Sequence, residues 1–142
     1  MGLDTSHDCW HGAYSTFMRW RKELAKAAGL PPLELMDTYY VSGNAYDPIR
    51  KGDFYDQVRE NLPIRWKSLR HDPALYLLLQ HSDCEGNLQV EWLLPLADRL
   101  TELLPLLDRD GGGHIGNYRV KTQAFIEGLR RAAELGEPVE FH

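Results

Sequence analysis

Between Ala13 and Ala28 the apolar residues Tyr14, Phe17, Met18, Leu24, Ala25 and Ala28 recur on one stripe, with Arg19, Lys22, Glu23 and Lys26 outside it. That spacing predicts an amphipathic helix. Gly29 stands where a left-handed residue ends a helix, and Pro31-Pro32 prevents continuation. A second seam, Leu96, Ala97, Leu100, Leu103, Leu104 and Leu107, predicts a helix opening at Pro95, because a first turn does not use the N–H that proline lacks. A third helix is expected from Lys121 to Leu135, burying Phe125, Ile126, Leu129, Ala132 and Ala133 and stopping at Gly136.

The remaining segments follow other patterns. Ala74–Gln80 is an unbroken apolar run after Pro73, short enough for a strand buried on both faces, although period alone leaves a helix open. The first twelve residues have no helical period and read as a short strand and a loop, while Pro138–His142 alternates like an edge strand. Residues 33–52 are ambiguous between helix and strand, with a loop at Ser42–Pro48, and Asp53 is placed to cap a short helix ending before Pro63. The expected architecture is α+β: a single compact domain over residues 1–142, with a small sheet packed against three to four helices.

Composition narrows the class. A chain of 142 residues, 43% hydrophobic and 26% charged, is one ordinary globular domain and neither disordered nor fibrous. No apolar run approaches the roughly 18–20 residues of a membrane span, and no signal-peptide pattern opens the chain. Two cysteines, Cys9 and Cys84, do not make a disulfide framework and point to the reducing cytoplasm. The net charge of −5 argues against binding duplex nucleic acid. Its distribution is uneven. Residues 50–71 carry a local +3 and residues 83–110 a local −5, which describes either two solvated faces or an anion-binding stretch opposite an acidic one.

Three groups of residues carry candidate chemistry. The first is histidine-rich: His7-Asp8-Cys9-Trp10-His11 before the first helix, and His81-Ser82-Asp83-Cys84-Glu85 after the apolar run. Parallel pairing of the N-terminal strand with a strand at 74–80 is expected to bring these two segments to the same end of the sheet. There His7, His11, His81 and Asp83 could line a ligand pocket, and His7, His11 and Asp83 could ligate a divalent metal. They fit no recognised zinc spacing, and loop-capping or buried hydrogen-bonding histidines explain them equally. The second group interleaves aromatic and basic residues: Trp10, Arg19, Trp20 and Arg21, then Arg65, Trp66 and Lys67. Stacking on an indole beside an arginine suits a nucleotide, although tryptophans also serve as ordinary core residues. The third is Gly111, Gly113 and Gly116, a G-x-G-x-x-G that lacks the preceding strand of a dinucleotide fingerprint and reads as a connector.

Met1-Gly-Leu-Asp4, Ser6-His-Asp8, Trp10, Phe17 with Arg19-Trp-Arg21, the block His81-Ser-Asp-Cys-Glu-Gly86 and the ending Glu140-Phe-His142 resemble small uncharacterised proteins of phage and bacterial genomes. The resemblance covers most of the chain and implies a setting, the cytoplasm of a bacterial host, without an activity. The aromatic–basic interleaving and the histidine-rich loops, in a chain without a recognised catalytic motif, lead to an expected function of non-enzymatic binding of a nucleotide or other phosphorylated anion. The resemblance adds the analogy of phage proteins that sequester nucleotide immune signals. The binding residues expected are His7, Trp10, His11, Tyr14, Arg65, Trp66, His81 and Asp83, with no cofactor favoured and a homo-oligomer as the assembly. Two alternatives stand beside it. One is a metal-dependent hydrolase or phosphodiesterase using the His/Asp clusters; the other is a protein–protein interaction module with an acidic face.

Overall fold

The computed structural model describes residues 2–30, 33, 72–107 and 118–142. Expectations for residues 34–71, including Arg65, Trp66 and the Asp53 helix, and for the glycine-rich segment 108–117 lie outside the described residues. The elements in chain order are β1 (Gly2–Asp4), a 3-10 turn (Ser6–Asp8), β2 (His11–Ala13), α1 (Tyr14–Ala27), α2 (Pro73–Gln80), β3 (Asn87–Leu88), α3 (Val90–Leu103), a 3-10 turn (Leu104–Leu106), α4 (Tyr118–Leu135) and β4 (Val139–Glu140). The fold is α+β, with four helices and two small antiparallel sheets among the described residues. None of these helices is long and apolar enough to cross a membrane.

The strongly periodic segments fold as their patterns predict. α1 buries Phe17, Trp20, Arg21, Leu24 and Ala25, and Gly29 follows it with φ +74°. α4 buries Tyr118, Thr122, Phe125, Ile126, Gly128, Leu129 and Ala132, and Gly136 ends it with φ +66°. The positive φ explains why glycine stands at both ends.

Two elements differ from the sequence reading. Ala74–Gln80 is the body of helix α2, not a strand, and Pro73 is its first residue. Its residues, alanine, leucine, tyrosine and glutamine, include no β-branched side chain and favour helix. The burial of Ala74, Leu75, Leu78 and Leu79 marks one helical face. Arg21 of α1 closes the far end, with Nη1 donating to the carbonyls of Leu78 (3.3 Å), Leu79 (3.2 Å) and His81 (2.6 Å). A helix end leaves carbonyls without intrahelical partners, and here a guanidinium from another element supplies the donors. Pro95 lies inside α3, which begins five residues earlier at Val90. Its ring is tolerated because it sits on the exposed side, and the bond it forfeits belongs to the carbonyl of Glu91 in the first turn. Buried Leu93 joins the seam of Leu96, Ala97, Leu100 and Leu103.

The single sheet expected is instead two two-stranded sheets, β1 with β2 and β3 with β4. They are joined end to end by one bridge, Thr5 to Phe141, and by reciprocal N–H···O bonds between Asp4 and His142 at 2.9 and 2.8 Å. The result is a strip in the order β2, β1, β4, β3. Its inner face meets the aromatic core. Trp10 stacks on Trp20 at 5.0 Å and meets Phe17 edge-on at 5.1 Å, Trp20 meets Phe125 at 4.9 Å, and Phe17 meets Phe141 at 6.1 Å. Trp20 Nε1 donates to Thr122 Oγ1 at 2.9 Å, so this indole N–H is satisfied inside the core.

Candidate functional site

The chain between β1 and β2 cannot turn on glycine, because residues 6–9 are Ser-His-Asp-Cys. His7 (φ 61°, ψ 19°) and Asp8 (φ 55°) instead both take the left-handed conformation. That region is uncommon for residues with a Cβ, although Asn, Asp and His enter it most readily, and consecutive occupancy stores strain that surrounding contacts must hold. The contacts are specific. Arg131 Nη2 of α4 donates to the His7 carbonyl at 2.6 Å. The Glu140 N–H donates to Ser6 Oγ at 2.9 Å, and the Trp10 N–H donates to Thr5 Oγ1 at 2.8 Å. Gly128 lets the turn lie directly against α4, since a Cβ there would come within 2.8 Å of the His7 carbonyl oxygen.

Inside this turn Ser6 Oγ and His7 Nδ1 are 2.8 Å apart, and Glu137 Oε1 lies 3.6 Å from His7 Nε2. The His7 side chain is largely buried and that of Glu137 is exposed. Cys9, the next residue but one, is buried, and burial pushes its thiol up to about 12.

Across the hairpin, His11 pairs with Asp4 both in strand register and through a contact from Nδ1 to the Asp4 carboxylate; both side chains are exposed. A cleft of about 320 Å³ runs along these strands, lined by Gly2, Leu3, Asp4, His11, Gly12 and Ala13. Trp10 lies on the core side of the hairpin at 3% exposure. Lys121 Nζ of α4 sits 5.0 Å from its ring centroid. Trp10 Nε1 is buried and meets no hydrogen-bond acceptor among the described residues. The position a Cβ would occupy on Gly12 is 3.5 Å from that nitrogen. Tyr14, the first residue of α1, is half-buried against the core.

His81 belongs to the other edge of the strip. Its ring packs on Phe141 at 4.1 Å, and its two nitrogens face the carbonyls of Ser82 (2.8 Å) and Asn87 (3.0 Å). These bonds tie the loop to β3. Asp83 is half-buried and Cys84 exposed in the same loop. β1 and β3 both run antiparallel to the C-terminal segment between them. The His7 turn follows β1 and the His81 loop precedes β3, so the chain leaves the strip in opposite directions at these two histidines.

Among the described residues no three His, Cys, Asp or Glu side chains form a group able to hold a metal ion. His7, His11 and Asp83 therefore do not assemble as the ligand set suggested by the sequence. The reason is topological: the parallel pairing of β1 with a strand at 74–80, which would have sent both loops the same way, is replaced by a helix. The sequence reading did not single out Ser6, Lys121, Gly128, Arg131 or Glu137 as part of a site. Adjacency marks Ser6 beside His7, but the partners from α4 and beyond lie more than a hundred positions away, and no local pattern connects them. Comparison with protein-family models, with curated proteins and with solved structures yields no match.

Proposed function

We propose that the protein binds a small anionic ligand, of the phosphorylated class, at the β1–β2 hairpin, and that it does so in the cytoplasm of a bacterial host as a homo-oligomer. The observation that supports this reading is the Trp10 indole. Its N–H is buried without an acceptor, beside the space left open by Gly12, and an ammonium group lies over the same ring. A buried donor without a partner costs about 1–3 kcal/mol, so a site that retains one favours any molecule able to supply an acceptor. A donor and a cation together select an acceptor that carries negative charge. His11, on the rim, is a further donor once its pairing with Asp4 is exchanged for the ligand. In this reading Trp10 contributes its edge rather than a stacking face, because Trp20 stacks on the ring and Lys121 lies over it.

Isothermal titration with orthophosphate, adenosine monophosphate and a cyclic dinucleotide tests the proposal. Wild-type protein should bind at least one of them. Trp10→Phe removes the N–H and keeps the ring, and should weaken binding by roughly tenfold or more, as expected for a hydrogen bond to a charged group. Gly12→Ala places a methyl group at an ordinary van der Waals distance from the indole, so the protein should fold while the acceptor's place is filled. Absence of binding to all three compounds, or binding unchanged in both variants, would overturn it.

A further inference from the structure

From the strained turn we infer that Ser6 is an activated nucleophile for acyl transfer from small neutral carboxylic esters, with His7 as its general base and Glu137 as a positioning residue. This activity is independent of ligand binding at Trp10. A nucleophilic serine needs a base within hydrogen-bond reach and a third group that orients the base. Ser6 Oγ is 2.8 Å from His7 Nδ1, and the Glu137 carboxylate is 3.6 Å from the opposite ring nitrogen. The Glu140 N–H donates to Ser6 Oγ, and in the tautomer with Nδ1 unprotonated the Ser6 hydroxyl donates to the imidazole. With Nδ1 accepting, the ring carries its proton on Nε2, the side on which Glu137 stabilises the charge that forms when the ring takes a second proton.

The turn presents these groups on purpose-built backbone. Arg131 and the bare helix surface at Gly128 hold His7 and Asp8 in their left-handed conformation. Strain of this kind is characteristic of residues that must project into a reaction. Ser6 is half-buried, and the His7 side chain, though largely buried, keeps a small exposed part. The Glu137 carboxylate beside the His7 ring disfavours an anionic substrate there, so the class proposed is neutral.

The chemistry balances within these groups. Ser6 Oγ bonds to the ester carbonyl carbon while its proton moves to His7 Nδ1. The carbon–oxygen bond to the alcohol then breaks, and the departing oxygen takes that proton, leaving an acyl-Ser6 ester. Water adds to the acyl carbon and gives a proton to His7. Ser6 Oγ departs with that proton, releasing the carboxylic acid.

Incubation with p-nitrophenyl acetate, followed by peptide mass spectrometry, tests the inference. Wild-type protein should release nitrophenolate and carry an acetyl group on Ser6, with a rate that rises sigmoidally with pH. Ser6→Ala should abolish that acetylation and leave binding to anions at the hairpin intact. His7→Asn tolerates the left-handed backbone and should slow acetylation by roughly 10²-fold and abolish the sigmoid. Glu137→Gln, at an exposed position, should slow it less and serves as a second variant whose folding is not at issue. Acetyl groups found only on lysines, or Ser6 acetylation at equal rate in wild type, His7→Asn and Glu137→Gln, would overturn the inference.

Discussion

The sulfur of Cys9 occupies the space that a side chain on Gly128 would need: a Cβ built on that glycine would lie 2.5 Å from Sγ and 2.9 Å from the Cys9 Cα. The closeness of this approach couples the N-terminal turn to the middle of α4. Substitution with alanine would favour the isolated helix by about 1 kcal/mol. In the folded protein it forces backbone apart, and overpacking of this kind costs roughly 1–3 kcal/mol or more. Gly128→Ala should therefore lower the urea midpoint despite its better helix propensity. A raised midpoint would show that the turn is free to move.

Burial raises the Cys9 thiol to about 12 from its ordinary 9.0. The folded state then keeps its proton at pH values where the unfolded chain has lost it. The corresponding stability is fully present below about pH 9 and falls as pH rises toward 12, by at most about 1.4 kcal/mol per pH unit. Urea unfolding between pH 8 and 11 (a range set by those values) should show this slope in wild type and lose it in Cys9→Ala. A thiol reagent at neutral pH should label Cys84 rapidly and Cys9 only after denaturation, since Cys84 is exposed.

Thr122 has no exposed surface and serves both sides of one chain of hydrogen bonds, accepting from Trp20 Nε1 at 2.9 Å and donating to the Tyr118 carbonyl at 2.7 Å. Thr122→Val preserves the shape and leaves the Trp20 N–H without an acceptor. The expected loss is about 1–3 kcal/mol in chemical denaturation. Thr122→Ser, which keeps the hydroxyl, should recover most of the polar contribution.

Pro95 interrupts α3 on its exposed side. Pro95→Ala restores a donor to the Glu91 carbonyl and removes the ring's clash with the preceding turn. An interior proline costs about 3 kcal/mol, and a position this near the start should recover part of that. A thermal midpoint raised relative to wild type is the expected outcome; an unchanged one would mean that the first turn of α3 contributes little.

The sequence by itself determined α1 and α4, because a long apolar stripe and a terminal glycine are legible from local spacing whatever element the stripe packs against. It also determined the α+β class and a strand near Val139, although that strand is bonded on both sides, to β3 and to the end of β1, rather than lying at an edge. The run at Ala74–Gln80 was decided elsewhere: a short, wholly apolar segment suits either a buried strand or a helix, and Arg21 of α1 supplies the donors that close the helix. The histidines were legible as chemistry but not as a place. His7 and His11 flank one hairpin, while His81 is tied to the far edge of the strip by Phe141 and the carbonyls around it. Ser6 and His7 are neighbours in the chain, yet what gives them a common geometry is Arg131, Glu137, Glu140 and the missing side chain of Gly128. Those contacts span more than a hundred residues, and only packing α4 and β4 against the N-terminal turn brings them together.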